Sequence, residues 1–261
     1  QHYRTFRNFF KGTGFEVALL TGSTPTAQKR KIKAALAAGE IQLAVGTHAL
    51  LQEDVEFSRL GLVVTDEQHR FGVAQRASLS AKGDNPHILV MSATPIPRTL
   101  GLILYGDLNV SVLDELPPGR QTIETYCVGS SYHQRIYKFI EKHIEQGLQA
   151  YIVCPLVEEG EGNLIPAEEY YETLSKGVFR HRRLGLLHGR MKPKEKDEVM
   201  RAFAAGELDI LVATVVIEVG VDVPNAAVIV IENAARFGLS QLHQLRGRVG
   251  RGKEKSSCIL V

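Results

Sequence analysis

Short apolar runs alternate along this chain with longer stretches whose apolar residues return at helical spacing. That rhythm predicts parallel strands joined by right-handed helical crossovers. The predicted strands are 15–20, 41–45, 62–65, 87–91, 110–113, 122–128, 150–154, 183–187, 210–213, 227–231 and 257–261. Between them, 26–38 reads as a helix with Ser23 or Thr24 as its candidate cap. Ile136, Ile140 and Ile144 recur at i, i+4 and i+8 within a second predicted helix, 132–146, and 240–251 reads as a third. The run Leu116-Pro117-Pro118-Gly119-Arg120 breaks the rhythm, since two prolines and a glycine forbid a helix or central strand. We place there the boundary between two α/β lobes, 1–116 and 117–261. The polar stretch 158–163 reads as a surface loop, and no repeat or low-complexity region is visible.

Composition narrows the class. The 261 residues are 44% hydrophobic and 23% charged, an ordinary balance for a globular chain able to bury a core. No apolar run approaches the roughly 20 residues needed to span a bilayer, so no membrane partner is expected. Gln1 is not an initiator Met, so the lack of a leader carries no weight. The net charge is +2, with 12 basic and 11 acidic residues before position 117 and 19 and 18 after it. No global basic field exists, and nucleic-acid contact must come from local clusters such as Lys29-Arg30-Lys31 and 246–255. Cys127, Cys154 and Cys258 lack CxxC spacing and sit among apolar neighbours. They read as reduced, packed thiols of a cytoplasmic protein. The histidines form no zinc pattern.

Candidate chemistry concentrates where strands end. Asp66-Glu67-Gln68-His69 closes the run Leu62-Val63-Val64-Thr65. Two carboxylates released at the mouth of a buried strand suit a Mg²⁺-nucleotide site, one holding the hydrated metal and the other orienting water. A solvated acidic turn is the competing reading. Ser92-Ala93-Thr94 ends the strand 87–91 and would stand beside Asp66 in a parallel sheet. Gly46-Thr47-His48 follows another strand and could offer N–H groups and a hydroxyl to a phosphate. In the second half, Thr214, Gly220, Asp222 and Pro224 follow the strand 210–213. Gln244, Arg248 and Arg251, at i, i+4 and i+7 of the predicted helix 240–251, share one stripe and point the same way. Two arginines there could neutralise charge on a γ-phosphate. The sequence 247–253 fits the GxxxxGK half of a phosphate-binding loop, but Glu254 replaces the Mg²⁺-binding Ser or Thr and a predicted helix precedes it. No other GxxxxGK[ST] occurs, and no GxGxxG follows the first strand, which argues against a dinucleotide enzyme.

In this order, these residues resemble the motor of a superfamily 2 helicase, two RecA-like lobes with parallel sheets flanked by helices. Residues 66–69 look like its motif II, 92–94 its motif III, 214–224 its motif V and 244–251 its motif VI. The likeness is strongest to the bacterial branched-DNA helicases of that superfamily. It rests on Phe71-Gly72-Val73, 91–100, Tyr105-Gly106-Asp107-Leu108, 114–120 and 236–248, and covers nearly the whole chain. Transcription-repair coupling factors look similar across the same stretches, but Gln68-His69 and the 114–120 block favour the former.

The resemblance implies an ATP- and Mg²⁺-dependent DNA translocase working on branched or duplex DNA in recombination and repair. It assigns Mg²⁺ binding to Asp66 and water activation to Glu67. Gln68, His69, Gly220, Asp222 and Gln244 would sit at the nucleotide, and Arg248 and Arg251 would be arginine fingers. Ser92 and Thr94 would couple hydrolysis to DNA movement, while Gly46, Thr47, His48 and Thr214 would follow the DNA. The family's phosphate-binding loop has no counterpart here, so the first lobe reads as N-terminally incomplete. The 261 residues by themselves are expected to lack ATPase activity, and a non-catalytic nucleic-acid-binding segment is the rival reading. Oligomeric state is not legible.

Overall fold

The computed structural model describes residues 2–66, 82–92, 109–115, 122–155, 167–214 and 223–261. The chain divides into two compact units, residues 1–95 and 96–261. The connector 116–120 lies outside the described residues.

In the first unit, α1 (His2–Phe9) precedes β1 (Val17–Leu20), α2 (Thr26–Ala38) and β2 (Leu43–Gly46). A short 3₁₀ turn, His48–Leu51, then leads toward β3 (Leu62–Thr65) and β4 (His87–Val90). β1 pairs with β2 and β3 with β4, both parallel. The β1–β2 pair packs on a small cluster of Leu20, Leu36, Ala49 and Val55. α2 ends as the sequence dictates: Gly39 takes the left-handed conformation, φ 77°, which only glycine adopts without steric cost. It spans the predicted residues, but its cap is not the predicted one. Pro25 is the cap residue and no side chain caps the helix. Thr24 instead turns its hydroxyl to the Thr21 N–H, 3.0 Å away, because proline just ahead of the helix already presets the entry.

In the second unit, strands and helices largely alternate among the described residues. β5 (Ile123–Cys127), α3 (His133–Glu145), β6 (Gln149–Val153), α4 (Ala167–Lys176) and β7 (Leu184–Leu187) come first. They are followed by α5 (Pro193–Ala204), β8 (Ile210–Ala213), β9 (Ala226–Ile231), α6 (Leu239–Arg246) and β10 (Ser256–Leu260). The six strands form one sheet in the order β5-β10-β9-β6-β8-β7, every pairing parallel. Every residue of β6, β8 and β9 is buried, so these strands need continuous rather than alternating apolar sequence. One face packs under Met200 and Phe203 of α5 and Leu245 of α6. The other packs under Ile136, Ile140 and Ile144 of α3 and Leu174 of α4. Fully burying a side chain such as Phe203 contributes roughly 1.5–3 kcal/mol.

The α/β architecture and parallel strands agree with the reading from sequence. One predicted strand does not form: 110–113 has no regular structure, and Leu113 is 97% exposed. An apolar run alone does not make a strand without a neighbour to pair with. Cys127 also departs from expectation. It is exposed at the end of edge strand β5, whereas Cys154 and Cys258 are buried. Among the described residues, no helix is long and apolar enough to cross a membrane.

Candidate functional site

β3 is short and largely β-branched, and its residues alternate, with Val63 and Thr65 buried. Asp66 follows directly and is about half exposed, with Oδ2 3.0 Å from His2 Nε2. Thr65 pairs with Val90 across the parallel ladder, and the Met91 N–H donates to the Thr65 carbonyl at 2.8 Å. Asp66 and exposed Ser92 therefore leave the same end of neighbouring strands, the end where open α/β sheets bind ligands. Glu67, Gln68, His69 and Thr94 lie outside the described residues. The Thr65 hydroxyl, fully buried, has no partner among the described residues.

The same end of the β1–β2 pair carries Gly46, Thr47 and His48, all exposed. The Thr47 N–H donates to the Leu20 carbonyl at 3.3 Å. A Cβ at position 46 would collide with that carbonyl oxygen and with the Leu50 side chain, so glycine permits the close approach. Beside it, the Thr21 hydroxyl lies 3.1 Å from those of both Ser23 and Thr24.

A hydrated Mg²⁺ needs few protein ligands, since waters and phosphate oxygens complete its octahedron. One exposed carboxylate at a strand mouth fits that demand, and Asp66 supplies it. Among the described residues, no group of three His, Cys, Asp or Glu could cage a metal by itself.

In the second unit, Thr214 follows β8 and is buried, its hydroxyl without a partner among the described residues. Gly220 and Asp222 lie outside the described residues. Gln244 is half-buried on α6. The single helical stripe expected for Gln244, Arg248 and Arg251 is not formed, because α6 ends at Arg246. Gly247 terminates it, the Arg248 N–H closes a last turn on the Leu245 carbonyl at 2.9 Å, and Gly250 then takes φ 76°. Two glycines cost too much helix stability for α6 to continue. Arg251 nonetheless returns to the helix end, its Nε donating to the Gly247 carbonyl at 3.2 Å. A guanidinium there meets the negative end of the helix dipole. Buried Val249 anchors the segment between the two arginines. The helix before residues 247–253 agrees with rejecting them as a phosphate-binding loop.

A polar cluster not foreseen from sequence occupies the mouth of the second sheet. Glu232 directly follows β9 and is buried, 7% exposed. Its carboxylate accepts from His133 Nε2 at 3.0 Å and from the Tyr170 hydroxyl at 2.8 Å. Tyr137 lies 3.0 Å from Tyr170, hydroxyl to hydroxyl, and His133 Nδ1 is 2.6 Å from the Ser130 carbonyl. Burial, then the Glu232 charge, raises the Tyr170 phenol far above its ordinary value, and the same two causes push the Cys154 thiol up to about 12. The cluster borders a cavity of about 370 Å³ that also touches Pro155 and Asn233. The signal was present in the sequence: an acid closing the apolar run 226–231 repeats the logic of Asp66.

Comparison with known proteins extends these observations. A DEAD/DEAH box helicase model matches residues 1–103, and a helicase conserved C-terminal domain model matches 131–253. Two parallel-sheet units carrying those two matches define a superfamily 2 helicase motor, and the chain belongs to that family. Within it, the chain is similar to ATP-dependent DNA helicase RecG. It is 56% identical to the Synechocystis sp. protein over 262 residues, covering 100% of this chain and 32% of that one. It is 55% identical to the Thermotoga maritima protein, covering 100% of this chain and 34% of that one. A solved structure of RecG bound to a three-way DNA junction matches with a TM-score of 0.75 and 52% identity, over 100% of this chain and 34% of that one. The chain thus spans about a third of the length of these relatives.

Proposed function

We propose that this chain is the ATP-driven motor of a DNA translocase that remodels branched DNA, stalled forks and Holliday-type junctions among them, in the bacterial cytoplasm. The observation that carries this is the delivery of Asp66 and Ser92 to one end of adjacent parallel strands, in a chain matching both halves of a helicase. The junction-bound relative supports branched DNA as the substrate class.

In this reading Asp66 would hold Mg²⁺, whose charge would offset that of the phosphates. Glu67 orients the attacking water. Gln68, His69, Gly220, Asp222 and Gln244 bind the nucleotide, and Arg248 and Arg251 stabilise the charge that builds on the transferred phosphoryl group. Ser92 and Thr94 relay the nucleotide state. Gly46, Thr47 and His48 meet the DNA backbone, their exposure at a strand end suiting phosphate. Thr214, being buried, joins them only after local movement. The lobe limits 1–116 and 117–261 belong to the same proposal.

The test is Glu67→Gln in the whole protein. It should bind ATP with little change and lose DNA-stimulated hydrolysis by a factor on the order of 10²–10⁴, the worth of a positioned general base. Undiminished turnover refutes the assignment.

A further inference from the structure

We propose that Glu232 and His133 form a positioning pair for the segment that carries Arg248 and Arg251; the proposal rests on the finger role given to those arginines above.

Hydrogen bonds tie the pair into the fold on both sides of the ring. His133 Nδ1 faces a carbonyl oxygen at 2.6 Å and Nε2 faces a carboxylate at 3.0 Å. The ring thus bridges the Ser130 carbonyl and the Glu232 carboxylate. Tyr170 donates to Glu232 at 2.8 Å, which leaves its oxygen to accept from Tyr137. One carboxylate, buried and fully engaged, therefore ties the start of α3 and the body of α4 to the residue just after the central strand β9. Removing one member of such a pair strands the other in a low-dielectric site.

What Glu232 holds is the corner from β9 into α6. Its backbone N–H donates to Val153 and that of Ala234 to Val261, each at 2.8 Å. Between them Asn233 sits in the left-handed region, φ 50° and ψ 48°. A non-glycine residue there carries strain that its surroundings must hold in place. Beyond the corner, Ile231, Ala234, Phe237, Leu245 and Val249 share one apolar cluster. Val249 lies between the two arginines in sequence, so a shift of the corner passes through packed side chains to the guanidinium groups. The hydrogen-bonded pair holds one side of this corner and the apolar cluster holds the other.

The experiment measures ATP turnover of the whole protein with forked DNA for Glu232→Gln, His133→Gln, Arg248→Ala and Arg251→Ala. Misplacement of fingers by a fraction of an ångström should lower kcat of both pair variants on the order of tenfold, with KM for ATP within about twofold. The double variant Glu232→Gln/His133→Gln should lose no more than either single one, because the pair acts as a unit. In the Arg248→Ala background, Glu232→Gln should add little. His133 is partly exposed, so His133→Gln remains informative if Glu232→Gln fails to fold. Dead arginine variants beside a fully active His133→Gln would overturn the pair alone. Fully active arginine variants would overturn both the finger assignment and the pair.

Discussion

Gly252 lies flat against the Pro224 carbonyl, so closely that a Cβ at position 252 would overlap the Pro224 oxygen. The turn after α6 thereby packs on the segment leading into β9. Backbone cannot yield as a side chain can. Gly252→Ala is expected to cost about 1–3 kcal/mol, as overpacking typically does, read from urea unfolding. Gly129, where an added Cβ would meet nothing within 4 Å, is the control. Gly129→Ala should change stability by less than about 1 kcal/mol.

Asp209 and Arg183 make an acid-sensitive clamp between the starts of β7 and β8. The carboxylate accepts from the Arg183 backbone N–H at 2.8 Å and from its guanidinium at 2.6 and 3.2 Å. Burial raises this carboxyl, but the hydrogen bonds and charge of Arg183 outweigh it and hold the group below the usual aspartate range. The folded state therefore favours the ionised form. Its stabilisation is complete above about pH 4, the ordinary aspartate value, and drains away as pH falls through the lowered one. Urea unfolding from pH 6 down to pH 3 should show this loss, and Asp209→Asn should shrink it.

The three thiols should separate cleanly by reactivity. Cys127 is exposed, while burial pushes Cys154 to about 12 and Cys258 to about 11. Only thiolate attacks a disulfide reagent. Native protein with Ellman's reagent should give one fast thiol, and all three only after denaturant is added. A Cys127→Ser variant should lose the fast phase.

Much of this was legible because apolar parallel strands write themselves plainly: 62–65 and 210–213 match β3 and β8 residue for residue. The end of α2 was equally plain, since Gly39 serves as its stop. Failures came where tertiary context decides. The run 110–113 looks like a strand, yet no described strand pairs with it. The stripe of Gln244, Arg248 and Arg251 was read as one helical face, but Gly247 ends α6 and a turn carries the arginines. Cys127 was misjudged because sequence does not say which strand lies at a sheet edge. The Glu232 cluster escaped for a different reason: its histidine lies 99 residues away, and only the fold brings such partners together.

Strand order also dictates when this molecule can be finished. β10 slots between β5 and β9, yet it is encoded after both. While a ribosome is still delivering the intervening helices, two strand edges face an empty lane, and each is a template for a neighbouring polypeptide. Domains mature as synthesis proceeds, so the second sheet must close late and in one step. Crowded polysomes translating this message are where strand exchange between nascent copies would be most costly to the cell.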